Sequence, residues 1–180
     1  MFIAQKFRSQ SISAYLIYMY QVEDLIRAYG LDADRIAADY LPRFGYDDEQ
    51  MKQAKEWYES LARMMREEGK EDIGHVRVVQ NTLDLLEEHH QELLADSDEQ
   101  EYRAAYYKAL PHIVALRSQG NNKEKPEMEN CIDALYGATL LRMQGKELSA
   151  STQAALKPIS ELLRLASQST CPSSNKYTSL

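Results

Sequence analysis

The carboxylate of Glu23 falls inside the apolar arc of a predicted helix, where an acid needs a partner. At 100° per residue, Glu23 lies about 20° from both Ile12 and Leu16, and the stretch "AYLIYMYQVEDLIRAYG" around it is apolar on nearly every side. A buried charge is costly unless it is paired or hydrogen-bonded. Arg27 follows in the favourable acid-before-base i,i+4 order. The spacing therefore predicts a Glu23–Arg27 ion pair, with tyrosine hydroxyls satisfying the remaining lone pairs.

His90 occupies a similar position in another predicted helix. It falls in the middle of an apolar stripe that includes Val79 and Leu83. A histidine there is either a satisfied core residue, hydrogen-bonded to a backbone carbonyl, or a ligand-binding group. Arg117 and Arg142 also point inward by helical register. Both lie in the last turn of a predicted helix, where a cation favours the helix dipole and its side chain can reach solvent.

Helix direction decides whether these polar groups meet. If the short second helix is only a connector, Glu23 and His90 lie about two-thirds along parallel helices, with Arg142 near the same end. If that helix is a full member of the bundle, the later helices run in the opposite direction, and His90 no longer lies in the same layer as Glu23. The candidate ligand-binding residues are Glu23, Arg27, His90, Arg142 and Tyr107, the last as a lateral ring beside a groove between helices.

A metal site is the alternative chemistry. Glu87 and His90 form an i,i+3 pair in "EEHH", the spacing used by di-iron carboxylate bundles. Such bundles need a second Glu-x-x-His pair, and the nearest imitation is Asp72-x-x-His75. A single-metal site of Glu87, His90 and Glu23 remains the weak alternative. The sequence lacks a glycine-rich phosphate loop, a Gly-x-Ser-x-Gly elbow and a CxxC pair, so we predict no cofactor and no metal.

Composition excludes several classes of partner. Acidic residues outnumber basic ones 28 to 21, and the net charge of −7 repels nucleic-acid phosphates. No run approaches the roughly 20 apolar residues of a membrane span. The two cysteines, Cys131 in a helical pattern and Cys171 in a polar stretch, suit a reducing compartment. We therefore expect a cytoplasmic protein with neither a nucleic-acid nor a membrane partner, in which Cys131 is an inert core thiol.

Capping residues and stop signals divide the chain into helices. Asp47 and Gln50 form a capping box, while Gly30 and Gly69 are placed to end helices. Pro111 lies inside a helical pattern and predicts a kink or a break there. The helices are expected at about residues 11–29, 32–41, 47–68, 72–95, 98–117, 126–144 and 149–168.

These elements predict an all-α fold. We expect a single-domain helical bundle of about six to seven helices, mainly antiparallel, spanning residues 1–168. "SQGNNKEKP", residues 118–126, is typical of a mobile loop. Residues 169–180 are polar, Ser-rich and unpatterned, and a disordered tail is expected for them.

Long stretches of the chain resemble a known family. They are "MFIAQKFRSQSISAYLIYMYQVEDLIRAYG", "EWYESLARMMREEGK", "YYKALPHIVALRSQG" and "CIDALYGATLLRMQGKEL". Together they cover most of residues 1–165 and resemble a bacterial family of uncharacterised proteins, a domain of unknown function found in gut-type anaerobes. The resemblance implies a bacterial, cytoplasmic, helical protein. It brings no activity, substrate or catalytic residue with it.

Two hypotheses for function follow from these patterns. The leading one is a non-catalytic helical binding or protein-interaction protein, with an unknown protein or small molecule as partner and a homodimer as one assembly. It rests on the first helix, because that helix is more apolar than one neighbour would bury, so it is either central or at an interface. The alternative is a small-molecule-binding or metal-dependent enzyme with a polar site around Glu23 and His90.

Overall fold

The computed structural model describes residues 2–118 and 124–169, and it is built from helices. The all-α prediction is confirmed, and these residues contain no strand. No helix within these ranges is both long and apolar enough to cross a membrane. The expected tail beyond residue 169 and most of the expected mobile loop lie outside the described residues. The helices are α1 (Phe2–Gln10), α2 (Ile12–Ala28), α3 (Ala33–Asp39), α4 (Asp48–Glu67), α5 (Arg77–Ala95), α6 (Gln100–Arg117), α7 (Glu127–Met143) and α8 (Ala150–Ser169), with a 3-10 turn (Leu41–Phe44) between α3 and α4.

Helix α2 is the central element of the bundle. It packs against α1, α4, α5, α7 and α8. Leu16 and Ile26 are completely buried, and Met19 and Val22 are almost so. A helix that is apolar all round must be covered on all sides. The composition of α2 is thus accounted for within one chain, and it no longer argues for an interface on this helix.

The N-terminal helix α1 was not predicted from the sequence. Ser11 caps α2 as expected, since its side chain accepts a hydrogen bond from the backbone N–H of Ala14 at 3.3 Å. The residues before it form a helix of their own, which folds against α2. Ala4 is buried there, and the rings of Phe7 and Tyr18 lie 5.6 Å apart. The bundle therefore contains α1 in addition to the helices predicted from the sequence.

The predicted caps around α4 are confirmed. The N–H of Gln50 donates to the Asp47 carboxylate at 2.8 Å, and the N–H of Asp47 donates back to the Gln50 side chain at 3.2 Å. Gly69 follows the helix with φ +64°, a left-handed conformation that favours glycine. The two signals together fix both ends of α4.

Two other helix boundaries differ from the prediction. The helix expected from about residue 72 begins at Arg77, and the segment from Glu68 to Val76, the α4–α5 loop, connects it to α4. Pro111 does not break its helix, because α6 runs without interruption from Gln100 to Arg117. Helix α5 begins later than predicted because the α4–α5 loop contacts α2, and a local sequence pattern does not reveal such contacts.

Candidate functional site

The buried carboxylate of Glu23 binds the α4–α5 loop. Its Oε2 lies 2.6 Å from Nδ1 of His75, and its Oε1 accepts a hydrogen bond of 2.9 Å from the backbone N–H of Val76. The Glu23 side chain is 1% exposed. Val76 is the N-cap residue of α5, so the acid also lies at the positive end of that helix dipole. The predicted Glu23–Arg27 pair is therefore wrong, because Glu23 finds its partners in a loop distant in sequence.

Arg27 binds the same loop one turn further along α2. Its guanidinium donates to the backbone carbonyls of Lys70, at 3.2 Å, and Gly74, and it also pairs with Asp24 at 2.9 Å. The planar fork of arginine lets one side chain bridge two carbonyls. Glu23 and Arg27 thus act in parallel, each holding a different part of the loop on α2.

His75 is held in one orientation by its neighbours. Its ring stacks on Tyr20, with centroids 3.8 Å apart and planes 15° apart. Tyr136 packs edge-on against Tyr20, and its hydroxyl donates to Asp24 at 2.5 Å. The side chain of His75 is 18% exposed, and Nε2 has no hydrogen-bond partner among the described residues. A carboxylate that orients an imidazole occurs in acid–base catalysis. In this protein the Glu23–His75 contact holds the α4–α5 loop on α2.

A second polar group, the His90 cluster, joins α5, α6 and α7. It consists of His90, Tyr102, Tyr106, Arg117 and Glu127. His90 is completely buried, and its Nδ1 lies 2.6 Å from the Tyr102 hydroxyl rather than against the expected backbone carbonyl. Its Nε2 is 3.6 Å from a carboxylate oxygen of Glu127, a separation longer than a normal hydrogen bond. Arg117 approaches the other oxygen of that carboxylate at 3.3 Å.

Burial and neighbouring charges shift the pKa values of three groups in the His90 cluster. The His90 ring has the largest effect on Glu127 and lowers the pKa of that carboxyl; the Tyr106 hydroxyl and Arg117 also lower it, against the opposing effect of burial. Burial is the main cause that raises the pKa of Tyr106 to about 12. Burial likewise raises the pKa of the Tyr102 hydroxyl. The cluster is therefore a neutral phenol pair around a carboxylate held in its charged form.

Glu87 has a structural partner at the start of α7. Its Oε2 accepts a hydrogen bond of 2.9 Å from the backbone N–H of Met128, and its Oε1 accepts one of 3.0 Å from Gln91. The N-cap residue of α7 is Pro126, which has no side-chain oxygen to do this. Helices α5 and α7 are thus both capped by carboxylates from elsewhere in the chain.

The predicted ligand-binding residues do not lie together, and neither do the predicted metal ligands. His90 lies fourteen residues beyond Val76 along α5, which at the helical rise places it about 20 Å from the end that Glu23 contacts. The two residues therefore belong to different layers. Within the described ranges no group of three or more His, Cys, Asp or Glu side chains is placed to hold a metal ion. The set of Glu87, His90 and Glu23 is not brought together.

The remaining predicted residues lie on the surface. Tyr107 is 63% exposed on α6. Arg142 is exposed near the end of α7, where it lines a groove of about 620 Å³ between α7 and α8. The apolar lining of this α7–α8 groove includes Ile17, Leu135, Ala138 and Leu156, and Lys157 is a second cationic residue beside it.

A second groove, the α1–α4 groove, has a volume of about 340 Å³ and a largely apolar lining. It lies between α1, α2, α4 and the first turn of α5. The side chains that give it this character are Tyr15, Met19, Trp57, Leu61, Met64 and Val78. Trp57 is the single tryptophan of the chain, so its fluorescence reports on this groove.

Sequence reasoning missed His75, Tyr102 and Glu127 as partners in the two polar clusters. The sequence spacing places His75 only in an Asp-x-x-His pair at a predicted helix start. The N-cap positions of α5 and α7 carried the usable signal, because Val76 and Pro126 cannot cap a helix with their own side chains. A helix without a local cap needs an acceptor from elsewhere, and an inward glutamate is the natural candidate.

The chain belongs to the family described as a domain of unknown function (DUF4924), whose model matches residues 1–173. The match includes all of the described helices. No curated protein and no solved structure matches the chain. The family membership agrees with the resemblance of the sequence and assigns no activity.

Proposed function

We propose that this protein is a non-catalytic interaction protein of the bacterial cytoplasm that pairs with a second copy of itself. The observation that carries the proposal is the α1–α4 groove with an exposed apolar ridge directly beside it. Aromatic and methionine side chains are enriched in protein interfaces, and the partly exposed Trp57 and Met64 line this groove.

The ridge is formed by the outer face of α5. Val78 and Leu85 are seven residues apart and so lie on the same helix face, two turns from each other. They are 38% and 59% exposed, and Ile73 in the preceding loop is 81% exposed. Val78 also lines the groove. A ridge next to a groove is the arrangement that a two-fold axis can make self-complementary, since each copy offers both parts.

The internal polar groups support a non-catalytic role. Glu23 and Arg27 hold the α4–α5 loop on α2, and Glu87 caps α7. His90 and Glu127 join three helices in the core. Each of these side chains has at least one hydrogen-bond partner within the chain. The negative net charge supports a protein partner rather than a nucleic acid.

The proposal is tested by measuring subunit number together with Trp57 fluorescence over a dilution series. We expect native mass spectrometry and sedimentation to show a dimer that dissociates on dilution. The Trp57 emission should shift to longer wavelength over the same concentrations, because the groove becomes exposed to water.

Two variants of the same chemical type locate the interface. Leu85→Glu places a charge on the ridge and should weaken the dimer at least tenfold, since burying an unpaired carboxylate costs several kcal/mol. Val114→Glu makes the same change at an apolar side chain on α6 that is 57% exposed, and it should leave the dimer intact. A chain that stays monomeric at every concentration, or a dimer broken equally by both variants, contradicts the proposal.

A further inference from the structure

The α7–α8 groove has an apolar wall and a polar wall, and the polar wall includes two cations and one acid. Ile17 from α2, Leu135 and Ala138 from α7 and Leu156 from α8 supply the apolar surface. Arg142 and Lys157 supply the charge, and neither makes an ion pair with a described residue. The volume of about 620 Å³ is within the range of small-molecule sites.

The acid nearest to these cations in sequence is already used. Glu161 lies one turn beyond Lys157 and also lines the groove, but it forms a two-point ion pair with Arg164, with distances of 2.7 and 2.9 Å. The lining thus has two cations without an ion-pair partner among the described residues and one acid that is paired with Arg164, which leaves the groove with a net positive charge on a chain of net charge −7. This charge favours an anion, and the apolar wall of Ile17, Leu135, Ala138 and Leu156 favours a hydrocarbon chain.

We propose that the α7–α8 groove binds a small amphiphilic anion, an acyl chain ended by a carboxylate. The chain lies along Ile17, Leu135 and Leu156, while Arg142 and Lys157 bind the carboxylate. Arginine suits this role because its fork can donate two parallel hydrogen bonds to one carboxylate. The ligand is thus held by burial of apolar surface and by charge together, and removal of either part weakens it.

Calorimetric titration of the full chain with decanoate, kept below its micelle concentration, tests this assignment. Decanol and decylamine are the matched probes, with the same chain and a neutral or positive head group. We expect decanoate to bind at least tenfold more tightly than either, since a charge-assisted hydrogen bond is worth about one to two factors of ten. Trp57 emission should stay unchanged during the titration, because the groove that contains Trp57 is a different one.

Substitutions place the two halves of the ligand. Arg142→Gln and Lys157→Gln should each weaken decanoate about tenfold and leave decanol unchanged. Lys52→Gln, an exposed lysine on α4 without an ion pair among the described residues, is the matched control and should bind like the parent protein. Ala138→Leu fills the groove and should abolish the binding of decanoate, decanol and decylamine alike. If this buried substitution destabilises the fold, the two charge variants still test the assignment independently.

Several results would overturn the assignment. They are equal affinity for decanoate and decanol, no effect of Arg142→Gln and Lys157→Gln, a loss of affinity in Lys52→Gln of the same size, and no binding of decanoate at all. Binding of a short oligoglutamate peptide with no binding of decanoate would also overturn it, because the occupant would then be an acidic chain and not an amphiphile.

Discussion

Glu23 and His75 lie 2.6 Å apart although 52 residues separate them in sequence. The acid is almost completely buried in α2, and the histidine is partly exposed in the α4–α5 loop. Their contact, with the bond from Val76 to the same carboxylate, fixes where α5 begins. A residue in the middle of the apolar arc of one helix thus sets the boundary of another.

Replacing the buried carboxylate tests this role. Glu23→Gln keeps the size of the side chain but removes the charge that binds the imidazole and faces the N-terminus of α5. We expect a loss of about 2–4 kcal/mol in the free energy of unfolding, as for other buried charged groups that lose their partner. Urea unfolding followed by circular dichroism measures it. Glu56→Gln, at an exposed position on α4, should change stability by less than about 0.5 kcal/mol. Similar values for both variants would show that Glu23 has no structural partner of consequence.

Arg27 should control local opening of the α4–α5 loop. Arg27→Gln removes the fork that binds the carbonyls of Lys70 and Gly74. Amide hydrogen exchange should accelerate in the loop and in the first turn of α5, and remain unchanged in α8, because the contact that is lost is local. Arg27→Lys should accelerate exchange as well, since an ammonium group lacks the planar fork. Unchanged exchange in the loop of both variants would contradict this account.

The phenol of Tyr102 should stabilise the core through His90. Tyr102→Phe removes the hydroxyl 2.6 Å from Nδ1 and leaves a buried imidazole nitrogen unsatisfied. We expect a loss of about 1–3 kcal/mol, measured from urea unfolding. Tyr107→Phe makes the same change at an exposed ring on the same helix and should be within about 0.5 kcal/mol of the parent protein. An equal loss in the two variants would mean that the hydrogen bond to His90 is not the cause.

Glu127 should make stability depend on pH in the acid range. Its pKa is lowered from the ordinary value of 4.5, first by His90, so the folded state favours the charged form. The contribution of this carboxylate is therefore fully present well above pH 4.5, and it is lost as the pH falls through 4.5 towards the folded pKa. The difference in unfolding free energy between the parent protein and Glu127→Gln should be largest near neutral pH and shrink on acidification. A difference that grows as the pH falls would reverse the sign of this argument.

The sequence was sufficient wherever the structure depends on neighbours along the chain. The capping box of Asp47 and Gln50, the stop at Gly69 and the stripe around His90 are all local patterns, and the structure contains each of them. The burial of Glu23 was also predictable from helical periodicity. Local patterns act within one or two turns, where spacing alone decides what can touch.

The partners of the buried charges were not predictable in the same way. Glu23 was expected to bind Arg27 one turn away, but Arg27 reaches the carbonyls of Lys70 and Gly74 instead. A shared layer for Glu23 and His90 was one of two alternatives, which depended on whether the short second helix is a connector. Local patterns do not decide which point of α5 packs beside Glu23. Choice of partner across the bundle depends on how helices pack, which is a property of the whole chain.

The contact between α2 and α8 has a consequence for the order of folding. The hydroxyl of Ser167 lies 2.9 Å from that of Ser13 and accepts a hydrogen bond of 3.2 Å from the Ser13 backbone N–H, across 154 residues of sequence. The start of α2 therefore contacts a helix that lies 154 residues further along the chain, and this contact can form only once α8 has been made. Such long-range closure is entropically slow, and in refolding we expect the amides of the first turns of α2 to gain protection from hydrogen exchange only when those of α8 do.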